Sequence, residues 1–123
     1  MDRKKVVYIS GPIEGVDNYW EAFEQAEEDL IGMGYIPLSP AHLPDGLSNK
    51  QYSRIHFAMI DSADAVLFLP GCDQSESSAL EAEYCKYVDK PVTFLREFDR
   101  FVKNPRDIVQ AWLKYDLEEV LKT

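Results

Sequence analysis

The feature that most constrains this chain is a regular alternation of short apolar runs with longer segments of helical period. Val6-Val7-Tyr8-Ile9, Tyr35-Ile36-Pro37-Leu38, Ala65 to Leu69 and Val92-Thr93-Phe94-Leu95 have the length and content of buried strands. Between the first two lies a helix from about Tyr19 to Met33. Trp20, Phe23, Ala26, Leu30 and Ile31 recur there at helical spacing, while Glu21, Glu24, Gln25, Glu28 and Asp29 fall on the other side. Glu27 falls on the apolar side, and Gly34 suits the residue just past the helix end. A second helix, about Asn49 to Ser62, places Tyr52, Ile55 and Met59 on one face with His56 on its flank. A third runs from Ser78 to Val88. Asn104-Pro105-Arg106-Asp107 starts a last helix whose stripe of Val109, Leu113, Leu117 and Val120, with Trp112 beside it, suits core or a subunit interface. The order β-α-β-α-β-α-β-α predicts an α/β fold, a parallel sheet of four to five strands with helices on both faces.

A chain of 123 residues fits one domain, here residues 1–123, and 46% hydrophobic content suffices for one core. Pro37 points to an edge position for the second strand. The formal charge of −9 disfavours nucleic acid polymers and anionic membranes as partners. Arg3-Lys4-Lys5 is the one tight basic cluster and is expected to solvate the start of the chain. No stretch has the length of a membrane span or the pattern of a signal peptide, so a cytoplasmic protein is expected. Cys72 and Cys85 are the only cysteines, His42 and His56 the only histidines, and they have no metal spacing; no metal or cofactor is expected.

Right-handed crossovers place every strand C-terminus on one edge, where ligands of such sheets bind. The loops after strands one, two and three, Ser10–Asn18, Ser39–Leu47 and Gly71–Ser77, all lie there. The second is long and suits a functional loop or lid. In the third, Ser75-Glu76-Ser77-Ser78-Ala79-Leu80-Glu81 joins a strand to a helix start, where unpaired N–H groups favour anions and polar ligands. Two readings of Ser78-x-x-Glu81 stay open. One is a capping box, with Ser78 as N-cap and Glu81 reaching back. The other is a carboxylate in the first helical turn, able to act as nucleophile or general acid/base.

Other chemistries find less support. There is no G-x-G-x-x-G, no G-x-x-x-x-G-K-[ST] and no G-x-S-x-G. Cys85 lies one helical turn past Glu81 and is expected to be buried; Cys72 lies in the site loop and is read as mainly structural. Asp61 and Asp64 are expected to flank the helix-to-strand turn, although with Asp73 and Glu81 they are the acids a metal would need.

Tyr8-Ile9-Ser10-Gly11-Pro12-Ile13, Asp64-Ala65-Val66, Leu69-Pro70-Gly71, Ser75, Glu81 and Lys90-Pro91-Val92 occur in that order. This set resembles the nucleoside 2-deoxyribosyltransferase-like superfamily, and its small phage and bacterial branch in particular, over about Val6 to Val92. The resemblance implies a flavodoxin/Rossmann-like sheet and a homo-oligomer with active sites near subunit contacts. It implies cleavage of the N-glycosidic bond of a nucleoside or nucleoside 5′-monophosphate, with Glu81 as nucleophile on C1′. It implies that Ser75, Tyr8 and Gly11 place the sugar, within a site that also takes in Ser10, Pro12, Ile13, Ser77 and Ser78. Ser75 stands where monophosphate hydrolases of the superfamily carry serine. The chain departs from the branch at His56 (usually Asp), Glu14 (Arg in phosphate-binding relatives), Cys72 (Trp), Ser77 (Gly) and Ser78 (Ala). His56 is then the candidate proton donor, against the plainer reading of a helix-surface residue. Tyr8 has a plainer reading too, as a strand aromatic.

The expected function is therefore N-glycosidic cleavage or deoxyribosyl transfer. A protein on the same fold that sequesters a nucleotide-derived ligand without cleaving it is the alternative, and an acidic interaction module is a third reading.

Overall fold

The computed structural model describes residues 3–13, 19–72, 75–95 and residue 121. The elements are β1 (Val6–Ser10), α1 (Tyr19–Gly32), β2 (Ile36–Leu38), a 3-10 turn (Pro40–His42), α2 (Asn49–Ser62), β3 (Ala65–Phe68), α3 (Glu76–Tyr87) and β4 (Val92–Phe94). The helix expected from Asn104 onward lies outside the described residues, as do Glu14 to Asn18 and Asp73.

All strand pairs are parallel, in the order β2-β1-β3-β4. The fold is thus α/β of the Rossmann-like kind, with four strands among the described residues, and there the edge position expected from Pro37 holds, since β2 pairs only with β1. The alternation of side chains along the strands divides the core in two. Val7, Ile9, Ala65 and Leu67 pack with Phe23, Ala26 and Leu30 of α1 on one face. Tyr8, Val66 and Phe68 pack with Ile60 of α2 and Cys85 of α3 on the other. Among the described residues, helices therefore cover both faces, α1 on one side, where Leu121 also packs, and α2 with α3 on the other.

Several details differ from the periodicity. Trp20 is 51% and Ile31 62% exposed, because only the line Phe23-Ala26-Leu30 meets the sheet and these two residues flank it. Asp29, expected outside, is buried, and its carboxylate accepts from the Gln25 amide at 3.0 Å. Glu27 has a partner: its carboxylate lies 2.6 Å from Nε2 of His42, tying α1 to the 3-10 turn. Tyr35 precedes β2, its N–H donating to the Leu30 carbonyl at the end of α1. Among the described residues, no helix is long and apolar enough to cross a membrane.

Arg3 does more than solvate. At the N-terminal edge of the sheet its guanidinium meets both oxygens of Asp64, at 2.9 and 3.1 Å, while Asp64 Oδ2 also accepts the Val6 N–H at 2.8 Å. The Arg3 hydrogen bonds, helped by the Val6 N–H and opposed by partial burial, hold the Asp64 carboxyl below its usual range. A carboxyl depressed by folding stabilises the fold above its unfolded pKa and loses that contribution as pH falls through the folded value. Asp64→Ala is expected to cost roughly 1 kcal/mol near neutral pH, mainly through the Val6 N–H. Urea titrations should show that difference from wild type shrinking once pH drops below about 4, the ordinary aspartate range.

Candidate functional site

A right-handed βαβ chain runs its helices antiparallel to its strands, so the helix starts gather at the strand C-termini. There β1 and β3 are neighbours whose connections leave to opposite faces, which makes their ends the switch point of the sheet. A cleft of about 400 Å³ opens at this edge. Ile13 after β1 contributes to it, as do Tyr19 of α1 and Pro40, Leu43 and Asp45 after β2. Asn49, Tyr52, Ser53, His56 and Phe57 of α2 and Glu76, Ser77, Leu80 and Glu81 of α3 complete the lining among the described residues.

The start of α3 excludes the first of the two readings of Ser78-x-x-Glu81, the capping box. The helix begins earlier than expected, at Glu76, and Ser75 is its N-cap, its hydroxyl accepting the Ser78 N–H at 3.3 Å. The capping box predicted at Ser78 and Glu81 is not formed. Two serine-led patterns overlap here, and the helix takes the first, leaving Glu81 in the second turn. Ser78 is buried and accepts from the Ser10 hydroxyl at 3.1 Å, which latches α3 to the end of β1.

Freed from capping, the Glu81 carboxylate turns to the cleft although its residue is only 4% exposed. The Tyr8 hydroxyl donates to Oε1 at 2.8 Å, and Nδ1 of His56 lies 3.3 Å from Oε2. Each oxygen thus has one polar neighbour and a further lone pair unaccounted for by it. Burial, with the Glu81 charge second, pushes the Tyr8 phenol far above its usual value, so it remains a donor throughout the physiological range. Cys85, one turn further on, is buried and pushed up to about 11 by burial first and the Glu81 charge second, so it is a thiol at neutral pH.

The residues singled out from sequence separate by position. Glu81, His56, Ser77 and Ile13 line the cleft. Tyr8 and Ser10 lie beneath it as buried ends of β1, Tyr8 touching Glu81 directly. Gly11 is packed so that a Cβ there would lie 3.1 Å from the Leu69 side chain, and Pro12 stands against Gly71, whose φ of +89° suits glycine. Ser75 also meets the Ser77 hydroxyl at 3.2 Å. Cys72 does not line the cleft and packs against the Tyr8 cluster.

Helix α2 supplies more of the site than expected. Tyr52, expected on one face of the helix with Ile55 and Met59, lines the cleft and pins the loop 39–47: its hydroxyl donates to the Pro44 carbonyl at 2.6 Å and accepts the Leu47 N–H at 3.3 Å. The signal was present in Asn49, Tyr52, Ser53 and His56, which share the helical face on which His56 stands.

Elsewhere the acids are engaged separately, Asp61 with the Tyr84 hydroxyl and Asp64 with Arg3. Among the described residues, no three His, Cys, Asp or Glu side chains are grouped so that they could hold a metal ion.

No curated protein matches the chain in sequence. Residues 5–94, which run from just before β1 to the end of β4 and contain the whole described lining of the cleft, match the family described as "Domain of unknown function (DUF4406)", and the chain belongs to that family.

Proposed function

We propose that this protein cleaves the N-glycosidic bond of a nucleoside or a nucleoside 5′-monophosphate, with Glu81 as nucleophile. The observation that carries the reading is the buried Glu81 carboxylate at an open cleft, fixed by the Tyr8 hydroxyl and flanked by His56. The sequence resemblance to the nucleoside 2-deoxyribosyltransferase-like superfamily supports the same assignment. A carboxylate oriented by a donor that stays protonated throughout the physiological range is suited to attack at an electron-poor sugar carbon.

In this reaction a Glu81 oxygen bonds to C1′ as the C1′–N bond breaks through an oxocarbenium-like transition state. The departing base takes a proton from His56. Water then attacks C1′, its proton passes to His56, and the ester C–O bond to Glu81 breaks. One water is consumed, and free base and free sugar are released. Where a second base replaces water, the result is transfer of the sugar. The aromatic sides of the cleft, Tyr52 and Phe57, suit the flat face of a base.

The test is a panel of ribo- and deoxyribonucleosides and their 5′-monophosphates, with free base measured by chromatography and the protein by intact mass. Base release together with a sugar-sized adduct that maps to Glu81 is the expected result. A folded protein that releases no base from any of them would overturn the reading, and a ligand held intact would establish sequestration instead.

A further inference from the structure

The cleft carries acid at its rim as well as its floor. Among the described residues, its lining includes the carboxylates of Asp45, Glu76 and Glu81 and no Lys or Arg side chain. Lys50 and Arg54 are exposed on α2 but lie outside the lining. Helix starts converge here, and their partial positive charge alone would favour an anion. Two of these starts are already served by the chain itself. Ser48 and Gln51 form a capping box on α2, while Ser75 caps α3 and Glu76 puts a carboxylate into its first turn.

We propose that the substrate is an uncharged nucleoside with a free 5′-hydroxyl, and that Asp45 and Glu76 reject the corresponding 5′-monophosphate. The inference rests on the glycosidase reading for its substrate class and on the lining charges for its selectivity. An ionised carboxylate is an acceptor only, so it pairs with the hydroxyls of an unmodified sugar. A phosphate monoester near neutral pH carries about −1.5 to −2 charge and adds acceptors where the described rim offers no Lys or Arg to meet them. Asp45 and Glu76 are exposed, so they repel a like charge at low salt and are screened at high salt.

The experiment is equilibrium binding of full-length Glu81→Gln to each common nucleoside and to its own 5′-monophosphate, at low salt and at about 0.5 M salt. Whichever base binds best, its nucleoside is expected to bind roughly 100-fold more tightly than the monophosphate at low salt. The gap should narrow at high salt and in an added Asp45→Asn, Glu76→Gln background. Ratios of kcat/KM on wild type give the same selectivity independently, should Glu81→Gln fold poorly. Equal or tighter binding of the monophosphate overturns the inference, and if base is still released, the glycosidase reading stands without it. Nucleoside preference with no base release from wild type keeps the selectivity and removes the glycosidase. Binding of neither class overturns both.

Discussion

Glu81→Gln should abolish base release, with kcat falling on the order of 10⁴-fold, while the protein folds at least as well as wild type. Each half of that expectation has its own cause. The amide keeps the shape of the carboxylate but is a poor nucleophile, so the covalent step is lost. Its oxygen can still accept from the buried Tyr8 hydroxyl, and its NH₂ can donate to Nδ1 of His56 in the neutral tautomer. A neutral side chain also costs less to bury than an ionised one, so stability should be unchanged or higher by about 1 kcal/mol. Glu81→Ala removes the same nucleophile but leaves the Tyr8 hydroxyl buried without that acceptor, at a cost of about 1–3 kcal/mol. Urea unfolding of both variants beside chromatographic base release separates the two contributions. Retained turnover in a folded Glu81→Gln would remove Glu81 from the chemistry.

This separation could be anticipated only in part from the amino-acid sequence. The sheet was legible because strand and helix periods alternate without interruption, and because Pro37 can be tolerated where one side of a strand lacks a ladder partner. The first helix was legible in extent but not in exposure. Helical period marks a stripe, while the width of sheet that meets it decides that Phe23, Ala26 and Leu30 are buried and Trp20 and Ile31 are not. Glu81 stood out from its place after the third strand, but its freedom from capping did not. Ser75-x-x-Ser78 and Ser78-x-x-Glu81 offer the same cap to the same helix, and the Ser10–Ser78 bond that favours the first comes from 68 residues away in sequence. His56 was found as a lone titratable side chain. Helical period put Tyr52 on one face of α2 with Ile55 and Met59, but it could not show that the Tyr52 hydroxyl holds the loop beside the cleft, because those bonds go to the backbone of Pro44 and Leu47.

Phe68→Ala should be the most damaging single truncation, costing about 3–5 kcal/mol. Phe68 is buried at the C-terminal end of β3, where it stands opposite Ser10 and stacks on Phe94 with ring centres 5.0 Å apart. It belongs to the cluster that holds Ile60, Cys85 and Tyr8, the donor to Glu81. A loss of that size is a large fraction of the roughly 5–15 kcal/mol that a domain of this kind has in total, and thermal melting should fall by on the order of 10–20 °C. Leu67→Ala is the informative comparison, because Leu67 is equally buried but faces α1. It should cost a similar about 2–5 kcal/mol. At a temperature where both variants remain folded, their base release should differ. Voiding the Phe68 side relaxes the packing that fixes Tyr8, so turnover drops further than stability alone requires, whereas Leu67→Ala leaves that packing in place. Phe68→Leu, which refills much of the void, should recover part of both losses. Equal turnover in the two alanine variants would mean that the Glu81 carboxylate is positioned by the Tyr8 hydrogen bond and the neighbouring His56 alone, without help from the core on that face.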